Sequence, residues 1–227
     1  MEVLEKQTGE SMREYIIRVL KHNIIHFSLK PGQSISETEI AEQLGVSRTP
    51  VREAFIVLAH ESLLEVYPQK GTYISAIDLN LVEEARFLRL TMEKAIVKMA
   101  CDFLTPSYTE ELEENLHLQE FYLSSLSFPK LLELDNQFHR ILFKACKKER
   151  IFLLIESVNT HFNRVRMLRL TTSFQVDKIL SEHRELLSAI KEKNAAKLEK
   201  LIETHLTGFK IEHGLLQEQY PNYFKRS

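Results

Sequence analysis

Four side chains in the second half of the chain are of the types that bind divalent metal ions. They are Asp135, His139, His183 and His205. Asp135 and His139 are four residues apart, which places both on one face of a helix, and the two later histidines fall on two further predicted helices. Imidazole and carboxylate ligands suit Zn, Ni, Fe or Cu, with Mn also possible. Each residue has apolar neighbours, so the alternative for any single histidine is a hydrogen-bonded core residue.

A second group of residues, in the first half, has the chemistry of DNA contacts. Arg48 and Arg52 share one helix face, and a guanidinium can bind guanine O6 and N7 together. Thr49 beside them can donate to a phosphate. Lys70 and Gly71 lie at the tip of a predicted hairpin, where a cation and a bare backbone can approach a phosphate. The alternative for the two arginines is an ordinary solvated helix face.

The elements that position these residues are nearly all helical by their periodicity. A capping box of Ser36 with Glu39 opens a short helix, Gly45 ends it, and a second helix follows. A hairpin over residues 64–76 then completes a winged helix-turn-helix. From residue 77 onward we predict six amphipathic helices in an antiparallel bundle, at about 80–104, 106–126, 129–145, 149–170, 176–192 and 195–219. The chain is therefore expected to be mainly α, with domains at 1–76 and 77–227.

Composition limits the possible functions. The 227 residues carry a net charge of −2, and residues 1–76 hold eight Lys and Arg against ten Asp and Glu. Any DNA-binding surface must therefore be a local patch. No apolar run is long enough for a membrane helix, and the acidic N-terminal residues do not resemble a signal peptide. We expect a cytoplasmic protein whose two cysteines are reduced.

The run GVSRTPVREA at residues 45–54 resembles the winged helix of the GntR family of bacterial transcriptional regulators. The resemblance extends over about residues 10–76. It implies that the residues matching the family's DNA contacts are Arg48, Thr49, Arg52, Lys70 and Gly71. One departure is Ser62, where the family usually has glycine before the wing.

Residues 78–219 are similar to the effector-binding FCD domain of the FadR subgroup of that family. The matching stretches are RLTME at 89–93 and DNQFH at 135–139, with the two later histidines. Many members bind a divalent metal through one Asp and three His. The resemblance thus implies the ligand set Asp135, His139, His183 and His205. Six helices instead of seven resemble the VanR-like branch.

The resemblance also implies a small-molecule effector, often an organic acid that coordinates the metal. Arg86 and Arg89 are candidates for a cationic clamp, because arginine matches carboxylate geometry. Asn159, Asn163 and Arg166 are candidates to line the same cavity. The alternatives are an intrahelical Arg89–Glu93 pair and a solvated helix face for the last three residues.

The function expected from these features is a homodimeric bacterial regulator, acting as a repressor on a palindromic operator. A carboxylic acid bound at the metal would modulate operator binding. One alternative is a metal sensor, in which the ion itself is the signal. A metal-dependent enzyme is the other, although the sequence offers no general base or nucleophile motif beyond the four ligands. We therefore expect no enzymatic activity.

Overall fold

The computed structural model describes residues 1–172 and 176–225. In chain order its elements are α1 (Met12–Ile25), β1 (Ser34–Ile35), α2 (Glu37–Leu44), α3 (Arg48–His60), β2 (Leu64–Tyr67), β3 (Gly71–Ile74), α4 (Leu79–Phe103), α5 (Pro106–Ser124), α6 (Phe128–Ala145), α7 (Glu149–Val158), α8 (Thr160–Thr172), α9 (Val176–Lys191), α10 (Ala195–Thr207) and α11 (Phe209–Gln219). The prediction of a mainly α chain is confirmed. Two compact units form: unit 1 comprises Met1–Leu79 with the segment from Gln217 onward, and unit 2 comprises Asn80–Leu216.

Unit 1 contains the predicted winged helix. Helices α1, α2 and α3 enclose an apolar core that the small sheet completes, with fully or nearly fully buried Ile16, Val19, Leu20, Val51, Leu58 and Ile74. The sheet is antiparallel with strand order β1-β3-β2. The β2–β3 hairpin runs in register from Leu64 opposite Ile74 to Tyr67 opposite Gly71. The hairpin predicted as a wing is thereby confirmed.

Local signals in the sequence account for the helix-turn-helix. The Ser36 side chain accepts from the Glu39 backbone N–H, and the Glu39 side chain accepts from the Ser36 N–H. Gly45 ends α2 with φ 65°, a left-handed conformation that glycine adopts without steric cost. Ser62, after α3, also has a positive φ of 61°. The position where the family usually has glycine thus keeps the backbone conformation that glycine favours.

A short C-terminal segment, residues 220–225 (the tail), pairs with the end of the winged helix inside unit 1. The Ile77 N–H donates to the Tyr223 carbonyl at 2.7 Å, and the Lys225 N–H donates to the Ile77 carbonyl at 2.9 Å. The Phe224 side chain is buried, and Lys225 Nζ lies 3.0 Å from an Asp78 carboxylate oxygen. We predicted that all residues from 77 onward belong to the second domain, whereas unit 1 includes Ile77 and the tail.

Unit 2 is a helical bundle. Helix α5 packs against α6 and α9, and α9 also packs against α10. The described residues after 77 form eight helices where the sequence predicted six. Two of the predicted helices are interrupted: α7 ends with Asn159 as its C-cap, and Gly208 separates α10 from α11. Among the described residues, no helix combines the length and apolarity that crossing a membrane would require.

Candidate metal centre and nucleic-acid interface

Three helices of unit 2 bring the four predicted ligand residues together. Asp135 and His139 come from α6, His183 from α9 and His205 from α10. One ligand atom from each lies within 4.8 Å of all the others. The His139 and His205 Nε2 atoms are 3.2 Å apart, and the Nε2 atoms of His139 and His183 each lie 3.7 Å from an Asp135 carboxylate oxygen. With bonds of about 2.0–2.2 Å, two ligands of one ion are at most about 4.4 Å apart, so these pairs fit a single ion.

Each imidazole in the cluster is oriented through its other nitrogen. His205 Nδ1 lies 2.8 Å from Glu182 Oε2, and His139 Nδ1 lies 2.5 Å from Glu93 Oε2. Because a carboxylate only accepts, His205 Nδ1 carries the proton and leaves its Nε2 lone pair available for a cation. The His139–Glu93 contact is an ion-pair contact without hydrogen-bond geometry, and it places His139 Nδ1 beside a carboxylate in the same way. The arrangement is the outer shell that metal-binding histidines require.

The third imidazole is held by an amide. His183 Nδ1 donates to Gln119 Oε1 at 2.9 Å. The Gln119 amide nitrogen in turn donates to Asn115 Oδ1 at 2.7 Å, which fixes the amide so that its oxygen faces the histidine. His183 Nε2 is buried and has no hydrogen-bond partner. A buried nitrogen without a partner is costly, and a cation in the cluster would remove that cost.

The electrostatics of the cluster favour cation binding. Burial by itself raises the pKa of Asp135, but Arg166 beside it, together with His183 and His139, holds the pKa well below its usual value of 3.8. Burial lowers the pKa of His183 well below 6.5, and neighbouring His205 lowers it further. The pKa of His139 is lowered by the same burial. At neutral pH Asp135 is therefore an ionised carboxylate, and His139 and His183 are neutral imidazoles, which are the protonation states of metal ligands.

Two buried arginines stand beside the cluster. Arg166 donates to an Asp135 carboxylate oxygen in a short contact, and also to Asn163 Oδ1 at 2.8 Å. Arg89 Nε donates to Glu93 Oε1 at 2.6 Å. The predicted intrahelical Arg89–Glu93 pair therefore exists, and its carboxylate also contacts the Nδ1 of His139. The pair is thus part of the same network as the cluster.

A cavity of about 50 Å³ adjoins the cluster. Its lining includes Arg89, Asp135, Arg166, Glu182 and His205. Of the five cavity candidates, Arg89 and Arg166 lie in this lining, and Asn163 accepts a hydrogen bond from Arg166. The other two are buried elsewhere in the described chain. Arg86 pairs with Glu83, and Asn159 lies 3.4 Å from Glu156. A contact of those two with an effector stays a prediction.

The DNA-contact candidates of unit 1 are on one exposed surface of α3 and on the wing. Arg48, Thr49 and Arg52 are exposed at the start of the helix. The Arg48 guanidinium lies 3.6 Å from Glu37, beyond hydrogen-bond distance, so its donors remain available. At the wing tip Lys70 is exposed, and Gly71 has φ 112°. Such a backbone angle is one that side chains other than glycine rarely adopt.

Sequence reasoning missed the residues that orient the imidazoles. Glu93 was considered only as a partner of Arg89, and Gln119 and Glu182 were not singled out. Glu182 directly precedes a ligand histidine in the sequence, and Glu93 ends the RLTME stretch. Both positions could therefore have been recognised from the sequence as neighbours of the ligands. No sequence pattern indicated Gln119, because the helix that carries it supplies no ligand.

Comparisons with known proteins agree with both units. The family model of bacterial regulatory proteins of the gntR family matches residues 12–74, and that of the FCD domain matches residues 84–208. The HTH-type transcriptional repressor RspR of Escherichia coli K12 is 30% identical over 197 residues, which cover 87% of this chain and 86% of RspR. The HTH-type transcriptional regulator McbR of the same organism is 36% identical over 139 residues, covering 61% of this chain and 63% of McbR.

Solved structures have the same fold. The structure of E. coli McbR/YncC covers 93% of this chain and 99% of its own, with a TM-score of 0.77 at 22% identity. A putative GntR transcriptional regulator from Rhodococcus sp. RHA1 covers 91% of this chain and 98% of its own, with a TM-score of 0.70 at 24% identity. At these identities the likeness concerns the fold alone.

Proposed function

The chain belongs to the GntR family of bacterial regulatory proteins and carries an FCD domain, and from this premise we propose that a divalent metal and a small carboxylic acid bound in unit 2 control operator binding by unit 1. It is a DNA-binding transcriptional regulator, and its family and relatives are regulators, not enzymes. The effector chemistry, the metal and the sign of regulation are the proposed parts. Because RspR is named a repressor, repression relieved by the effector is the sign we propose.

The observation that carries the metal proposal is the orientation of the three histidines. Each Nδ1 contacts a side-chain oxygen of Glu93, Gln119 or Glu182, and every Nε2 lies near the Asp135 carboxylate or a neighbouring Nε2. A set of core histidines without a metal has no need for that common orientation. The bound ion would supply a Lewis-acidic position for a carboxylate oxygen. Zn, Ni, Fe and Mn are all compatible with this donor set.

Metal content tests the proposed centre. We expect about one ion per chain in the purified protein by mass spectrometry, and loss of that ion in His183→Ala. A matched control is His117→Ala on α5, since His117 is not among the cluster residues. An absence of metal in the wild type after incubation with Zn, Ni and Mn would contradict the proposal.

Operator affinity that follows metal concentration without an organic acid would favour the metal sensor.

The proposed DNA contacts are tested at the level of operator binding. We propose that a homodimer places two α3 helices on the half-sites of a palindrome in the bacterial cytoplasm. A duplex selected from a randomised pool serves as the operator, and fluorescence anisotropy gives the affinity. Arg52→Ala should weaken binding by roughly 1–3 kcal/mol if Arg52 binds a guanine bidentately. Arg13→Ala, an equal charge change at an exposed position of α1, should have a much smaller effect. Equal affinities for the two variants would remove Arg52 from the interface.

A further inference from the structure

Helix α3 carries a large apolar residue on the same surface as its arginines. The Ile56 side chain is 63% exposed, whereas Val51, Phe55 and Leu58 of the same helix are buried in the core of unit 1. Ile56 follows Arg52 by four residues, and residues four apart lie on one face of a helix. The exposed face of α3 is therefore not purely polar, and a partner bound to it would bury Ile56.

Helical geometry places Ile56 near the middle of this exposed face. At 3.6 residues per turn, Ile56 points within about 20° of the direction of Thr49, two turns earlier. Arg52 lies about 40° to one side of Ile56 and Glu53 about 60° to the other, and all four residues are exposed. A duplex that contacts Thr49 and Arg52 and continues along the helix therefore meets Ile56.

The chemistry of this position selects the part of the DNA that it can contact. An aliphatic side chain has no donor for a phosphate oxygen, and the exposed carboxylate of Glu53 beside it repels a phosphate. On the base edges of the major groove, the apolar group is the 5-methyl group of thymine. The surface around Ile56 thus fits the edge of a T·A pair better than it fits the DNA backbone.

The spacing along the helix indicates where that base pair lies. Four residues correspond to about 6 Å along the axis of an α-helix, and successive base pairs are about 3.4 Å apart. For a recognition helix that lies in the major groove, the base pair next to Ile56 is therefore about two steps from the base pair next to Arg52.

We propose that Ile56 specifies a thymine in each half-site of the operator. Its side chain contacts the thymine 5-methyl group, about two base pairs from the guanine that Arg52 binds. The contact favours a T·A pair over a C·G pair, a discrimination that a contact to phosphate cannot supply. The assignment rests on the proposed function, because it requires that α3 lies in the major groove.

Replacement of thymine by uracil tests the contact, since it removes only the methyl group and keeps the base pairing. The duplex selected by the wild type is altered one thymine at a time, and fluorescence anisotropy gives the affinity. We expect one thymine per half-site whose replacement weakens wild-type binding by about threefold to tenfold, the size expected for burial of one methyl group. In Ile56→Ala the same replacement should change the affinity by less than about twofold. Ile56→Val keeps a branched apolar side chain and should retain the sensitivity.

Controls separate base reading from folding and from contacts to the DNA backbone. Alanine at an exposed position should not destabilise unit 1, and urea unfolding of Ile56→Ala checks this. On a duplex of unrelated sequence, Ile56→Ala should bind as the wild type does at every salt concentration, because phosphate contacts supply that binding. Leu118→Ala removes an exposed leucine of unit 2 and should keep the wild-type response to uracil. A thymine replacement that affects the wild type and Ile56→Ala equally would overturn the assignment, as would an equal loss by Ile56→Ala on both duplexes.

The outcomes also distinguish this assignment from the proposed function on which it rests. If Arg52→Ala weakens operator binding but no thymine replacement depends on Ile56, the proposed position of α3 stands and the Ile56 assignment is wrong. If Arg52→Ala binds the operator as Arg13→Ala does, the proposed position of α3 and the Ile56 assignment are both wrong.

Discussion

At the scale of single residues, the candidate metal centre depends as much on the groups behind the histidines as on the histidines themselves. Glu182 is half-buried and contacts His205 Nδ1 at 2.8 Å. Glu93 is fully enclosed and contacts both Arg89 and His139. Although burial raises the pKa of Glu93, His139 and Arg89 lower it to about 2. The Glu93 carboxylate therefore stays ionised at neutral pH, and both carboxylates hold the imidazoles that they contact in place.

Glu182→Ala removes the acceptor of His205 without touching a ligand. We expect metal affinity to fall by about 10–100-fold, because the imidazole loses both its orientation and part of its basicity. A competition titration with a chromophoric chelator measures the change. Glu185→Ala removes an exposed carboxylate one turn further along α9 and should leave the affinity near that of the wild type. If both variants bind metal as the wild type does, Glu182 has no role in positioning His205.

The ligand residues were predictable from the sequence, whereas their supporting groups mostly were not. Types and spacing mark Asp135 and His139 as neighbours on one helix face. Periodicity does not specify which helices pack together, so the meeting of α6, α9 and α10 followed only from resemblance. The contact from Gln119 to His183 joins residues 64 positions apart. No local pattern encodes such a contact, because it arises from the packing of α5 against α9.

At the scale of elements, short-range signals predicted unit 1 well. The capping box at Ser36, the left-handed Gly45 and the hairpin each involve residues close in sequence. The breaks within unit 2 were harder to predict. Asn159 ends α7 without a proline or glycine nearby, and its backbone is close to helical. Such an interruption depends on tertiary packing instead of local propensity.

Gly45→Ala tests whether the turn between α2 and α3 depends on the left-handed backbone. A Cβ at this position would meet nothing within 4 Å, so the only cost is conformational. We expect a loss of about 1 kcal/mol in the free energy of unfolding. Gly214→Ala also adds a Cβ in open space but has no positive φ, and inside α11 it should stabilise by about 0.5–1 kcal/mol. Urea unfolding of the two variants should give opposite signs, and the same sign for both would contradict this account.

At the scale of the whole molecule, the division of the chain does not follow its sequence order. Unit 1 includes Ile77 and the tail, although most of the chain between them belongs to unit 2. The boundary predicted near residue 77 rested on a change from hairpin to helix, and that change is real. The return of Phe224 to Ile77 left no comparable signal, since one bridged residue pair has no periodicity.

Phe224→Ala measures how much the tail contributes to unit 1. The side chain is 5% exposed, and removing a buried phenyl ring costs about 3–5 kcal/mol. We expect amide hydrogen exchange to accelerate in residues 63–77, which include the backbone groups that pair with the tail. Phe103→Ala removes a ring that is 47% exposed and should leave exchange in this segment unchanged. Wild-type exchange rates in Phe224→Ala would show that the tail adds no stability to the winged helix.

The tail also determines the order of events during protein synthesis. Asp78 follows the wing and forms an ion pair with Lys225 of the tail, and the two residues are 147 positions apart. At about 5–20 residues per second, a ribosome needs roughly 7–30 s to reach the tail after the wing has been translated. During this time the Ile77 N–H and carbonyl lack their partners in the tail, because all of unit 2 is translated first. A nascent chain therefore completes its DNA-binding unit only after its sensory unit has been made.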